Sequence, residues 1–355
     1  MIVALSTTHF YPLCLESSLH ETLWGGYRLG QDGWKRVPEE NVVIGESWET
    51  ETNAVVKNGP YKGKTLGEVV DELGDSLLGK QAIAIFGPRF PLLAKFIDAH
   101  AKLSVQVHPK DDYAHTHEGG KLGKTEFWYI LGAEPGARIV HGFNKPTSRE
   151  EVQAAIQTVT LDQLMHEETV EPGDVIFVPA GTVHAIGGGI LLYELQEYSD
   201  VTYRMYDYGR LTAAGTPREL HIDRSLDVAH YSPSAQIKTR PVLLASTEAY
   251  NDRCLVACKY FVTREIRLKS RDTVAGIFRG HTTSSCIILS SLGADALVRY
   301  GPAYEQGESL RRGDTMVLPA ALGAYSIEGE GPLLLSYVPS SDDPAWQRWA
   351  QENSV

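Results

Sequence analysis

The chain has 355 residues, which is room for two or three domains and an ample core. Its 43% hydrophobic and 22% charged residues are the composition of an ordinary globular protein. A formal charge of −12 argues against nucleic acid or an anionic membrane as partner, and no run of about 18 apolar residues is there to span a bilayer. In chain order, residues 1 to about 60 hold short apolar runs broken by glycine and tryptophan, as in Trp24-Gly25-Gly26 and Gly45-Glu46-Ser47-Trp48-Glu49, and read as irregular strands. Thr65 and Glu68 make a capping-box pattern, and Val69, Val70, Leu73, Leu77 and Leu78 follow at helical spacing, so a helix is predicted that closes near Gly79. Residues 90–98 return to strand, and residues 101–142 read as paired strands. Ser148 and Glu151 form a second capping box that opens a helical segment to about residue 166. Strands resume at Val170 and run to about Tyr208. Residues 211–235, with Pro217 and Pro233, read as a linker holding a short helical piece. From Pro241 onward short strands alternate with Gly-rich turns.

Four scattered cysteines, Cys14, Cys254, Cys258 and Cys286, offer no two metal-spaced pairs. They are expected to be buried free thiols in a reducing cytoplasm, and no signal peptide is read at the N-terminus.

One pattern occurs twice. Gly173-Asp174 leads through four residues to Pro179-Ala180, and Gly313-Asp314 leads through four to Pro319-Ala320. The first copy continues to Gly181 and His184, whereas the second puts Ala324-Tyr325 where that histidine stands. Val175, Ile176, Phe177 and Val178 suit a buried strand, Pro179 stops the ladder, and Gly181 permits the turn. The spacing G-x5-P-x-G-x2-H resembles the second metal motif of the cupin barrels. Two jelly-roll barrels are therefore expected, with only the first able to hold a metal at this position.

The other ligands are sought upstream. In a strand, residues two apart share a face, so Gln106 and His108 point one way while Leu103, Val105 and Val107 point the other. The polar side is expected inside the barrel, with helices covering the apolar side. By the same parity Lys124 and Glu126 share a face. Two histidines, a carboxylate and an amide (His108, His184, Glu126 and Gln106) make a reasonable divalent site with one position left for water or substrate. Zinc is the first choice, with Mn, Fe, Co and Ni also compatible.

At this point the sequence resembles the type I mannose-6-phosphate isomerases in their short bacterial form. The pieces are Leu23-Trp24-Gly25-Gly26, Gly45-Glu46-Ser47-Trp48-Glu49, Phe90-Pro91-Leu92-Leu93-Ala94-Lys95, Gln106-Val107-His108-Pro109, Gly123-Lys124-Thr125-Glu126, the His184 motif, and the run from Ser199 to Arg210. The resemblance covers essentially the whole chain. It implies one zinc on Gln106, His108, Glu126 and His184, and a mainly β protein with two cupin-type jelly-roll barrels. Residues 1–235 would be the metal-binding catalytic domain, with helical insertions at about 65–80 and 148–166. Residues 236–355 would be a degenerate cupin-like β domain.

The implied reaction interconverts mannose 6-phosphate and fructose 6-phosphate by moving a proton between C1 and C2 through a cis-enediol. Lys124 is expected beside the metal, where it helps neutralise a developing oxyanion. Glu194 sits in an otherwise apolar strand, where burial would raise its pKa toward that of a general acid or base, and the family match favours it as proton carrier. Asp200 is the second candidate for that role. Arg204 suits the substrate phosphate or the enediolate, with Arg210 as a possible contributor. The competing expectations are an oxygenase-type metal cupin and a sugar-phosphate-binding bicupin without catalysis. Redox chemistry would not require Lys124, Glu194 and Arg204 around the metal, and the intact set of Gln106, His108, Glu126 and His184 with a candidate base argues against binding without catalysis.

Overall fold

The structure is a computed structural model that describes residues 10–37, 39, 42–212, 215–270 and 275–353. The opening nine residues of the first predicted strand region therefore lie outside the described residues. The chain is mainly β, the strand pairs among the described residues are antiparallel, and it divides into two compact units. One comprises residues 18–49 and 92–240, the other residues 1–17, 50–91 and 241–355.

The first unit is built on two sheets. Its six-stranded sheet runs in the order Ser18–His20, Glu46–Trp48, Leu92–Ala99, Ile190–Glu197, Glu126–Ala133 and Val175–Val178. Its five-stranded sheet runs Tyr203–Tyr206, Val105–Val107, His184–Ile186, Arg138–Phe143 and Met165–Thr169. Ile97, Ile130, Ile176 and Leu192 from the first sheet and Ile139 and Ile186 from the second join one buried cluster, so the sheets meet through their inner faces. The outer face of the five-stranded sheet is equally apolar. Val105, Val107, Val140, Ala185 and Met205 pack there with Val152 and Ile156 of helix Arg149–Gln157 and Leu226 of helix Ile222–Val228. Helices do cover the apolar side, as the sequence predicts. Each such buried aliphatic side chain contributes about 1.5–3 kcal/mol. Leu103 breaks the expected parity: it precedes the strand, which begins only at Val105, and it joins the inner cluster instead.

The helix Arg149–Gln157 has its capping box, with Ser148 Oγ accepting from Glu151 N. It stops well short of residue 166, because Val159 takes a positive φ of 56° and a strand already begins at Met165.

The second unit repeats the two-sheet plan. Its seven-stranded sheet runs Leu13–Cys14, Thr315–Leu318, Ile287–Ser291, Gly331–Tyr337, Val262–Leu268, Tyr250–Ala257 and Val242–Ser246. Its four-stranded sheet runs Gly276–His281, Ala324–Gly329, Ala296–Tyr300 and Gln306–Leu310. Ile266, Leu289, Met316 and Leu335 of the former share a core with Val298, Leu310 and Ile327 of the latter. The two copies of the sequence repeat play one local role. Each forms a strand of the larger sheet (Val175–Val178 or Thr315–Leu318) and turns into a strand of the smaller one (His184–Ile186 or Ala324–Gly329).

The predicted helix after Thr65 is present with both halves of its capping box, but it is broken into Leu66–Leu73, Asp75–Leu78 and Lys80–Phe86 by Gly74 and Gly79. These helices group with residues 241–355, not with the residues around the metal motif. The reason is local. Leu77 and Leu78 are fully buried, Cys286 N donates to Leu78 O at 3.0 Å, and Gln81 N donates to Ser284 O at 2.9 Å. The C-terminal helix Pro344–Asn353 also docks on its own unit, where Trp349 is buried and its Nε1 donates to Leu255 O at 2.9 Å. Cys254 and Cys286 are buried free thiols, whereas Cys14 and Cys258 are only half-buried.

Candidate active site

Strand register places the polar side chains in two facing rows. In the five-stranded sheet Arg204 pairs with Gln106, Gln106 with His184, and His184 with His141. Residues directly opposite in an antiparallel ladder share a face, so this row points one way across four strands. In the six-stranded sheet Trp48 pairs with Lys95, Lys95 with Glu194, and Glu194 with Trp128. Glu126, two residues before Trp128, shares that face.

The rows converge at His108, Glu126 and His184, whose ligand atoms all lie within 4.8 Å of one another. His184 Nε2 is 3.3 Å from Glu126 Oε1, and His108 Nε2 is 3.6 Å from Glu126 Oε2. All three residues are buried to within 1% of full exclusion from solvent. Each imidazole is oriented by its other nitrogen: His108 Nδ1 donates to Val201 O at 2.9 Å and His184 Nδ1 to Thr182 O at 2.8 Å. A carbonyl can only accept, so both Nδ1 atoms carry the proton and both Nε2 atoms present lone pairs. Burial drives both rings toward the neutral form, His108 well below its usual range and His184 down to about 3. Burial and the nearby Glu194 push Glu126 up to about 7. His108 Nε2 and Glu126 Oε1 have no hydrogen-bond partner. Lone pairs aimed at a buried carboxylate repel unless a cation joins them, so this donor set fits a divalent metal. The Gln106 amide nitrogen lies 3.3 Å from His184 Nε2, and turning the amide over would present its oxygen to the same point.

A chain of buried charges runs from this pocket. Lys124 Nζ is 2.8 Å from Glu126 Oε2 and 4.0 Å from Glu194 Oε1. Lys95 Nζ is 3.4 Å from Glu194 Oε1, 3.4 Å from Glu46 Oε2, and 4.7 Å above the Trp48 ring. Trp128 Nε1 donates to Glu194 Oε2 at 3.0 Å. Glu194 is buried as expected, but the expected direction of its pKa is reversed. Burial does favour the neutral acid, yet Lys124, Lys95 and the indole N–H outweigh it and hold the carboxylate below its usual range. Burial also works against the charge on Lys95, but Glu46, Glu194 and Glu126 hold its pKa above the usual value.

Arg204 is half-buried, in register with Gln106, with Nη1 donating to Glu219 O at 2.9 Å and Nε left without a partner. Arg210 and Arg218 lie close by and both bind Asp207, Arg218 through Nε at 2.8 Å and Nη2 at 2.6 Å. Asp200 stands apart from the buried array. Its side chain is 69% exposed and pairs with Lys121 at 2.7 Å. The adjacent Val201 nonetheless orients His108 through its carbonyl.

Four contributors were not singled out as site residues. Lys95 occupies a wholly buried, mainly apolar strand, and a lysine in such a run is itself a signal. His141 is buried beside His184 and its Nε2 donates to Phe177 O at 2.9 Å. His221 accepts from Arg204 N at 3.2 Å through Nδ1. Glu197 accepts from Thr125 N at 2.8 Å, between Lys124 and Glu126, and burial and Asp111 raise its pKa well above the usual value.

Fold and site together define a β protein of two units, each with two sheets, the first of which carries a buried candidate metal pocket and an acid–base array beside it. Residues 13–123 match the family described as phosphomannose isomerase type I, catalytic domain. The chain is 36% identical over 331 residues to mannose-6-phosphate isomerase ManA of Bacillus subtilis, covering 92% of this chain and 99% of that one. It is also 36% identical over 330 residues to the mannose-6-phosphate isomerase of Streptococcus mutans, covering 92% and 98%. A crystal structure of the mannose 6-phosphate isomerase from Bacillus subtilis superposes with a TM-score of 0.80 at 32% identity, over 92% of this chain and 99% of that one. This chain belongs to the type I mannose-6-phosphate isomerase family.

Proposed function

We infer that this chain interconverts mannose 6-phosphate and fructose 6-phosphate by proton transfer between C1 and C2. The observation that carries the reading is the cluster of buried donor atoms on His108, Glu126 and His184, joined by Lys124 to Glu194. We take the metal to be zinc, held by those three residues and Gln106; when bound it would act as a Lewis acid toward the substrate's C1 and C2 oxygens.

The chain's own residues do the rest. Glu194 is ionised at neutral pH, as a residue that accepts a proton from carbon must be, and its place beside Lys124 and Lys95 keeps it fixed. Lys124 carries a positive charge into the pocket, where it offsets charge developing on oxygen. Arg204, with Arg210 and Arg218 near it, is the reading for the phosphate end, since a guanidinium matches that group's geometry. Trp128 closes one wall, with its ring 5.5 Å from His184 edge to face, and helps exclude water.

Each unit's pair of sheets is read as one cupin-type jelly roll, with the helices at 66–86 as an insertion and the second unit as the metal-free copy. The free cysteines suit a reducing cytoplasm. Among the described residues no helix is long and apolar enough to cross a membrane. Full-length likeness to isomerases does not favour the oxygenase or non-catalytic readings.

The test is turnover of mannose 6-phosphate to fructose 6-phosphate by purified protein, before chelation, after it, and with zinc restored. Activity that disappears and returns supports both the reaction and the metal. Absence of turnover in every metal-replete sample would overturn the isomerase reading.

A further inference from the structure

The second unit holds a cavity where the first has its candidate metal pocket. The sequence repeat brings Tyr325 to the place of His184. Register sharpens the parallel: His184 pairs with Gln106, whereas Tyr325 pairs with Gly280. A Cβ at Gly280 would lie 2.4 Å from Tyr325 Cζ and Oη, so the glycine is what lets the tyrosine ring lie there. One small and one aromatic residue thus stand where two ligands stand in the other copy. They leave a cavity of about 570 Å³ lined wholly by residues of this unit. That volume falls within the roughly 300–1,000 Å³ of small-molecule sites.

Its walls are those of a recognition site. The rings of Tyr250, Phe278, Tyr325 and Tyr337 line it. Arg264 and Asp252 form a two-bonded pair on its wall, through Nε to Oδ1 at 3.0 Å and through Nη2 to Oδ2. Tyr325 is only 2% exposed as a residue, and it lines the cavity together with Arg264. A tyrosine hydroxyl on a cavity wall can both donate to and accept from a ligand. Charge selects the ligand class. Asp252, Asp342 and Asp343 line the cavity with Arg264 and Arg279, so carboxylates outnumber guanidiniums and a phosphate is disfavoured. Free hydroxyls both donate and accept, which matches a guanidinium–carboxylate pair, and the C–H face of a sugar ring suits flat aromatic walls.

We propose that this cavity binds an uncharged sugar or polyol of monosaccharide size. Tyr325 Oη and the Arg264–Asp252 pair read its hydroxyls, and the aromatic rings cover its apolar face. The site is separate from the metal pocket and needs no metal.

The experiment is calorimetric titration of the full-length protein, chelated and zinc-loaded, with D-mannose, D-fructose, D-mannitol and inorganic phosphate. Saturable binding of one equivalent of at least one uncharged probe is expected, with the same affinity in both metal states. Tyr325→Phe, which keeps the ring and removes the hydroxyl, should weaken it about tenfold. Thr283→Trp, at an exposed position on the cavity wall, should block it and serves if the first variant fails to fold. No saturable binding up to about 100 mM, which is weaker than any specific site here should be, would overturn the proposal. So would binding lost on chelation, phosphate binding that Thr283→Trp abolishes, or wild-type affinity in a folded variant. Turnover of mannose 6-phosphate reads the metal pocket separately, so failure of either reading leaves the other standing.

Discussion

Glu194 shows how one residue's surroundings decide its chemistry. An isolated carboxyl in an apolar strand would hold its proton, but two lysines and an indole N–H keep this one ionised. Glu194→Gln preserves the shape and removes the base. We expect it to lower kcat about a hundredfold or more while metal content stays at one per chain, measured by steady-state kinetics alongside elemental analysis. Turnover within a few-fold of wild type would remove Glu194 from the reaction. In the other unit Glu265 is fully buried and bound by Arg253 at 2.7 Å and Arg267 at 3.2 Å. Burial opposes its charge, but the two guanidiniums win and lower its pKa. A carboxyl with a lowered folded-state pKa adds stability above its unfolded value, and that stability is lost as pH falls through the folded one. Glu265→Gln is therefore expected to cost about 1–3 kcal/mol at pH 7 and much less near pH 3, read from urea denaturation at both. A penalty that stays constant with pH would show that the ion pairs are not its source.

Among the elements, the short helices over residues 66–86 illustrate two kinds of local instruction. Thr65 and Glu68 satisfy each other's backbone N–H groups at the start of the first helix. Thr65→Ala should cost about 1 kcal/mol, seen as a lower denaturant midpoint. Gly79 breaks the second helix from the third at φ 83°, and a Cβ there would lie 2.3 Å from Ser284 O. Gly79→Ala is expected to cost more than the cap, about 1–3 kcal/mol of backbone strain plus the displaced contact. If the alanine variant unfolds at the wild-type midpoint, the close approach is not a constraint. The strand Leu92–Ala99 carries a different instruction. It is buried on both faces, so its one lysine can persist only with partners, which Glu46 and Glu194 provide.

For the molecule as a whole, the expected consequence of the metal pocket is a link between metal and folding. A ligand that binds only the folded state at about a thousand times its dissociation constant adds about 4 kcal/mol of stability. Chelation should therefore lower the transition temperature by several degrees, and restored zinc should raise it again in differential scanning calorimetry. His184→Ala should have a low transition that no longer responds to zinc. A zinc-dependent shift that survives this substitution would place the metal elsewhere.

Much of the site was legible in the sequence because strand parity and ladder spacing are local. Gln106 with His108, and Lys124 with Glu126, share faces by simple alternation, and the Pro179-Ala180-Gly181 turn aims His184 inward. The capping boxes and the repeated strand–turn unit are local too, and they stand where they were read. What only the tertiary structure decided is which distant segments meet. The register of Leu92–Ala99 against Ile190–Glu197 brings Lys95 to Glu194 and so reverses the direction of that carboxyl's pKa. Asp200 sits one residue from a carbonyl that orients His108, yet its own side chain turns outward to Lys121. The helices near residue 70 join residues 241–355 through contacts more than 190 positions away in the chain. Alternation and capping act over a few residues and leave a mark in the text. Long-range pairing is set by how whole faces fit together, and electrostatic balance follows from that fit.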